Sequence, residues 1–453
     1  MAGGSRNALP PGPRTPAALN VLRFLRAPFQ TLLGWQARYG NVFTVRYSGF
    51  GTGVYVAEPE AIRELFTGDQ SDLLAGEANS FMTPVVGPSS VLVLDGREHM
   101  RQRKLLLPPF QGSRVADFRE TIRGVAEREI AGWEPGRRFA VRERMRAVTF
   151  EVICRAVFGV TEPERVERLR ATLCAVIDSS PLFMLSSAVR ADLGPLSPGG
   201  RFARRLAAAD AALAEEIERR RGAEDLEERT DVLSLLLRAR DEDGRAMSTP
   251  ELRDELFTML GAGHETTATG LAFAFELLMR NPAVLDRLRE EIEAGGNDAY
   301  LDAVVKETLR LRPIIDGAER TLTRPRTVAG WELPAGAKIY PGILLVHMRE
   351  DLYPEPERFR PERFLDEGGA ESYTWLPFGG GIRRCIGAAL AQAEMAEVLR
   401  TAIPAVELRP VRPEPDPVVL RGITLAPRHG VEVSVERRLS RAGAGRAATA
   451  AAA

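Results

Sequence analysis

The chain is poor in several residue types, and each scarcity closes off a class of explanation. It has three cysteines in 453 residues, Cys154, Cys174 and Cys385. They lie too far apart for a C-x-x-C pair or a Cys/His zinc cluster. They are equally unlike a disulfide framework, which suits a reducing cytoplasm. Lysine occurs only at Lys104, Lys306 and Lys338 while arginine is abundant, the mark of a GC-rich genome and of no particular chemistry. The net charge is −1, so no global field points to nucleic acid or to an anionic membrane. No apolar run approaches the ~18 residues of a spanning helix. Met1 to Asn7 is small and polar, so neither a signal peptide nor a membrane anchor is expected.

What the chain does have is 44% hydrophobic and 27% charged residues, enough for a large globular core. Leu9-Pro10-Pro11-Gly12-Pro13 is a stiff lead-in, and residues 1–15 are expected to be flexible. Apolar spacing predicts one helix from Ala17 to Arg38. A β-hairpin follows over residues 42–56, then a helix opened by Pro59. Residues 73–94 read as a long apolar loop, uncommon unless it covers something. The next helix, from about Gly96, puts His99 and Arg103 on one face. Residues 113–245 are helical in pattern, with an apolar island at Pro181-Leu182-Phe183-Met184-Leu185 that reads as a lid or as a buried loop. The tail from 439 to 453 is low in complexity and expected to be disordered.

Two stretches break local rules. Ser248-Thr249-Pro250-Glu251 is a strong helix start, and the helix should run to Arg280, before Asn281-Pro282. Its middle, Gly261-Ala262-Gly263-His264-Glu265-Thr266-Thr267-Ala268-Thr269-Gly270, is crowded with poor helix formers. Such a run needs a reason, either close approach of a cofactor or a locally opened hydrogen-bond ladder. The second stretch is Phe378-Gly379-Gly380-Gly381-Ile382-Arg383-Arg384-Cys385-Ile386-Gly387, a glycine-rich loop leading into an Ala/Leu/Gln-rich helix. A cysteine before a helix N-terminus, beside two arginines, is prepared to be a thiolate ligand. A simple buried cysteine would read alike.

The pattern Phe378-x-x-Gly381-x-Arg383-x-Cys385-x-Gly387 resembles the haem-binding signature of the cytochrome P-450 monooxygenases. Ala262-Gly263-x-Glu265-Thr266-Thr267 is similar to the family's oxygen-activation motif, and Glu307-x-x-Arg310 with Arg363 to its structural charge triad. The resemblance covers residues 10 to 435. It implies a mainly α fold: a single large helical domain, 16–438, with small β-sheets at the N-terminal and C-terminal regions. It also implies haem b with the Cys385 thiolate as axial ligand, and cofactor contacts from His99, Arg103, Arg320, Phe378, Arg383 and Gly387. Glu265 and Thr266 become the catalytic acid and alcohol. Glu307, Arg310 and Arg363 become scaffold, and His264 is structural or supports the site. The pocket lining expected is Phe81, Met82, Val86, Phe183, Met184, Phe257, Ile314, Ile315 and Ile423, whose apolar character suits a fatty acid, terpenoid or steroid-like substrate. Oxygen is the co-substrate. No electron-transfer domain is apparent in these residues, so NAD(P)H would act through a separate ferredoxin and ferredoxin reductase, with Arg384 a candidate contact. The expected protein is a cytoplasmic monomer. A peroxygenase and a haem-thiolate sensor are the alternatives.

Overall fold

A computed structural model describes residues 9–49, 51–111, 113–179, 190–194, 196–295, 297–365 and 373–439. In chain order the helices are α1 (Ala17–Arg26), α2 (Pro28–Tyr39), α3 (Pro59–Thr67), α4 (Ala75–Ala78), α5 (Thr83–Val86), α6 (Gly96–Leu106), α7 (Ser113–Ala131), α8 (Val141–Ala156) and α9 (Pro163–Ile177). They continue as α10 (Pro198–Arg221), α11 (Val232–Arg238), α12 (Thr249–Arg280), α13 (Pro282–Ala294), α14 (Ala299–Leu311), α15 (Ile343–His347) and α16 (Ala388–Ala402). The strands are β1 (Val42–Tyr47), β2 (Gly51–Val56), β3 (Leu73–Leu74), β4 (Arg138–Ala140), β5 (Arg320–Leu322), β6 (Arg326–Val328), β7 (Trp331–Leu333), β8 (Lys338–Pro341), β9 (Val406–Pro410), β10 (Val418–Arg421), β11 (Thr424–Pro427) and β12 (Glu432–Arg438). The mainly α reading with small sheets is met.

The largest sheet runs β1-β2-β8-β5-β3. Its β2–β8 pair is parallel and joins the N-terminal hairpin to a strand far down the chain. This sheet has its own apolar core with α2 and α3, from Leu32, Phe43 and Val54 to Ile339 and Leu344. The helices share a second core, centred on α12.

Helix α12 starts where expected, with a full capping box between Ser248 and Glu251, and stops at Asn281 before Pro282. It is continuous through its glycines, so no opened ladder is needed. A Cβ at Gly263 would come 3.1 Å from Ile153 of α8, and one at Gly270 would come 3.2 Å from Met395 of α16. Those two glycines let neighbouring helices approach. Gly261 meets nothing within 4 Å. It faces open space instead.

Three expectations are corrected. The helix expected over 17–38 breaks between Arg26 and Pro28, because Pro28 lacks an N–H and is seated in the first turn of α2. The lead-in is not free throughout its length, since Thr44 N donates to Pro11 O at 2.9 Å. The stretch 73–94 is not an unbroken loop but holds β3, α4, a 3-10 turn (Ser80–Met82) and α5.

Candidate functional site

Cys385 lies three residues before α16, on a loop shaped by glycines of positive φ, Gly379 at 64° and Gly381 at 62°. A Cβ at Gly381 would overlap the carbonyl of Phe66 in α3, so this position admits no side chain. Cys385 N donates to Phe378 O at 2.9 Å, and the Gly387 N–H is directed at the sulfur. Cys385 is exposed, yet burial pushes its pKa up. A group both accessible and hemmed in by protein faces an internal space. The N–H of Gly387, Arg384 and Arg103 act in the other direction, but burial is the larger effect. Helix and arginines favour the thiolate expected as a ligand, and desolvation opposes it.

The middle of α12 carries an uncovered strip of its own. Ala262 is exposed and Gly261 and Thr266 are half-buried, although the helix is buried almost throughout from Leu252 to Leu278. Ala262 and Thr266 are one turn apart, so this bare strip is one face. The Thr266 hydroxyl donates to Ala262 O at 2.5 Å. Glu265 points sideways, into ion pairs with Arg142 and with Arg146, the latter at 2.9 Å. Arg146 also binds Asp178, at the end of α9, at 2.5 Å. His264 sits behind, with Nδ1 3.0 Å from Thr149 Oγ1 and Nε2 3.9 Å from Cys174. It joins α12 to α8 and α9 and takes a structural place.

Along one edge, four basic side chains converge. Burial and the fields of Arg383, Arg103 and Arg320 hold His99 down to about 3, so it is neutral. Burial, then Arg383, lowers Arg320 to about 10, and Arg320 Nε has no partner. Arg103 donates to Arg384 O at 2.6 Å. Arg383 binds Asp95 at 2.5 Å, Val91 O at 3.0 Å and Leu94 O. Three guanidiniums against the one carboxylate of Asp95 leave two positive charges in a poorly hydrated place. A flat group carrying two carboxylates fits that excess, and Cys385 and Ala262 are each left uncovered. Haem is such a group. Among the described residues no three His, Cys, Asp or Glu side chains converge on a metal, and Cys385 is exposed on its loop.

The scaffold triad is assembled and buried. Arg310 donates to Glu307 at 2.7 and 2.9 Å, and Arg363 donates to the same carboxylate at 3.2 Å. His347, neutral because burial lowers it to about 3, links this knot to the cysteine loop. Its Nδ1 is 3.1 Å from Arg310 O, and its Nε2 accepts from Leu376 N at 2.8 Å.

The expected pocket lining is only partly accessible. Phe81 and Ile315 are half-buried, Met82, Val86 and Ile314 are buried, and Ile423 is exposed on the β10–β11 turn. Phe257 is corrected to core: it is 1% exposed, with Arg253 over its ring. Phe183 and Met184 lie outside the described residues. Phe378 packs edge-on against Trp375, and Gly387 faces open space. Asp95, Arg142 and Arg146 are functional neighbours that sequence reasoning missed. Their only signal was the arginine-rich run Arg142-Glu143-Arg144-Met145-Arg146, which a solvated helix face also shows.

The Cytochrome P-450 family model matches residues 9–431. A protein named cytochrome P-450 135B1 from Mycobacterium tuberculosis is 42% identical over 440 residues, 96% of this chain and 93% of that protein. The same organism's cytochrome P-450 135A1 is 37% identical, covering 97% and 98%. Among solved structures, the retinoic acid-bound cyanobacterial CYP120A1 superposes with a TM-score of 0.81 at 26% identity, over 95% of this chain and all of that one. The cytochrome P-450DA haem domain gives 0.84 at 21% identity, over 96% and 98%, a likeness of fold.

Proposed function

The chain belongs to the cytochrome P-450 family and is a haem-thiolate monooxygenase, and from that premise we propose its substrate class, electron supply and working residues. The substrate is a hydrophobic small molecule of the fatty acid, terpenoid or steroid-like class, into which one oxygen atom of O2 is inserted. The apolar side chains at Phe81, Met82, Val86, Ile314 and Ile315 support that reading. So does the relative described with retinoic acid, an isoprenoid molecule. Electrons come from NAD(P)H by way of a ferredoxin and its reductase, in the cytoplasm, to a monomer whose catalytic unit is residues 16–438. Arg384, exposed beside the cysteine, is the proposed docking contact.

When bound, the haem supplies the redox chemistry, its thiolate ligand donating electron density that favours O–O cleavage. This chain's own residues do the rest. Cys385 holds the iron, and Arg103, bonded to the Arg384 carbonyl, steadies the loop around it. His99, Arg103, Arg320 and Arg383 hold the two carboxylates of the cofactor. Thr266 turns its hydroxyl proton to Ala262 O, which leaves its oxygen free to accept a proton-bearing partner in the open space. Glu265 is the acid, held as an ion pair by Arg142 and Arg146 in this structure and carrying a proton only once it leaves them.

The observation that carries this reading is the exposed Cys385 on its glycine-shaped loop, with His99, Arg103, Arg320 and Arg383 grouped near it. It is tested with purified protein, a ferredoxin system and a panel of hydrophobic ligands. The expected result is a thiolate-type Soret band of the reduced carbon monoxide complex and product that requires O2 and NAD(P)H together. Product with peroxide alone would favour a peroxygenase, and the spectrum without turnover a sensor.

A further inference from the structure

The net charge of −1 conceals a local imbalance near the start of the chain. No Asp or Glu precedes Glu58, whereas Arg6, Arg14, Arg23, Arg26, Arg38 and Arg46 do. Helix α1 packs on α2, β1 and β10, none of which holds an acid. Among the described residues, no carboxylate pairs with Arg23 or Arg26 of α1, with Arg421 at the end of β10, or with Arg428 just past β11. All four arginines are exposed.

The same part of the surface is apolar. Helix α1 turns Val21 and Phe24 to the sheet core, and Asn20 donates to Arg46 O at 3.0 Å, so its roll is fixed. That leaves Leu19, Leu22 and Leu25 facing outward, each between 37% and 49% exposed, with Arg23 and Arg26 among them. Arg428 donates to Arg26 O, at the end of α1, at 3.4 Å, and Arg421 donates to Arg428 O at 2.9 Å. These bonds hold the β10–β11 turn beside α1, and Ile423 in that turn is 43% exposed. Apolar side chains exposed singly need no explanation, but four gathered among unpaired arginines do.

We propose that α1 and the β10–β11 turn form a docking surface for an anionic lipid bilayer. Helix α1 has ten residues, too few to span, so it lies along the interface with its leucines at the headgroup–acyl boundary and its arginines on lipid phosphates. A second copy of this chain is a poorer occupant, because a twofold contact would set arginine against arginine. An acidic protein would answer the arginines and leave the leucines uncovered.

The test is sedimentation of the haem-loaded full chain with vesicles of phosphatidylcholine, alone or mixed equally with phosphatidylglycerol. Binding to the anionic vesicles should be tighter by about tenfold or more and should weaken as salt rises. Combining Leu19→Ser, Leu22→Ser and Leu25→Ser should abolish it, and Arg23→Gln with Arg26→Gln should weaken it roughly twentyfold. Both variants should melt as wild type does, since the side chains changed are exposed. Arg137→Gln with Arg240→Gln, exposed arginines of other segments, should leave binding within about twofold. No vesicle binding, equal binding to both lipids, or an equal loss in that control overturns the proposal. If vesicles are not bound, a dimer lost in the leucine variant assigns the face to a second copy. A ferredoxin affinity lost in the arginine variant would assign it instead to an acidic protein.

Discussion

At Cys385 two local effects compete, and their balance says what the cofactor must do. The helix start and two arginines favour the thiolate, while burial opposes it more strongly. Iron supplies the missing positive charge. Cys385→Ser should therefore fold but lose thiolate-ligated haem, read from the Soret band of the reduced carbon monoxide complex. A mutant that keeps that band would end the assignment. On α12, Thr266 and Glu265 are adjacent in sequence yet differently held, one by its own helix and one by α8. Thr266→Ala should keep the spectrum and ligand binding while product per NAD(P)H falls by roughly ten- to a hundredfold. Glu265→Gln should slow the whole cycle, because an amide cannot pass a proton on. Matching rates and coupling in both mutants and wild type would reduce the pair to helix structure. Cys385 and Thr266 were legible because each belongs to a motif of about ten residues. Arg142, Arg146 and Asp95 were not, since contacts made by the folded chain leave no local mark on an arginine-rich helix or a lone aspartate.

Elements carry a second set of constraints. Glu307, Arg310 and Arg363 are all buried, and the carboxylate receives both guanidiniums. Removing it strands two cations, so Glu307→Ala should cost ~3–5 kcal/mol and leave the protein poor in haem. Normal haem content and an unshifted thermal midpoint would make the triad incidental. The glycines of α12 divide by what they meet. Gly270→Leu should destabilise by about 1–3 kcal/mol or more, because its Cβ alone would come 3.2 Å from Met395 and the rest of the side chain has no room beyond it. Gly261→Ala should be neutral or mildly stabilising in the haem-free protein, since no protein atom lies within 4 Å of its Cβ and alanine is the better helix former. Thermal melts of the two variants decide this, and equal shifts would refute it. The ends of α12 were legible from Ser248, Pro250 and Pro282, as capping is local chemistry. The break before Pro28 was missed because apolar spacing continues across it. The short turns of 73–94 were missed because their apolar residues answer to α12 and the cysteine loop rather than to any period of their own.

For the whole molecule, ionisable groups buried at several places among the two apolar cores set how stability follows pH. Phe257 illustrates what sequence could not give. Its apolar character suited both core and pocket, and only the packing of Arg253 on its ring assigned it. Glu394 of α16 is a sharper case, 2% exposed with Oε1 unpartnered, and burial raises it to about 8. A carboxyl raised in the folded state binds its proton more tightly there than in the unfolded chain. Its contribution is fully present below the unfolded value of 4.5 and is lost as pH rises towards about 8. Glu255, raised to about 8, acts in the same sense. His264 and His347, each lowered to about 3, act oppositely: their contribution is present above 6.5 and is lost as pH falls towards 3. Stability should thus decline on both sides, with the alkaline decline partly owed to Glu394. Glu394→Gln keeps the shape and removes the titration. Its thermal midpoint should fall less than that of wild type between pH 5 and pH 9, whatever the absolute difference at pH 5, and the two should keep parallel slopes above pH 9. Parallel curves across the full range would mean that Glu394 holds no unusual proton, and the alkaline decline would then belong to Glu255 and its bond to Val91 N.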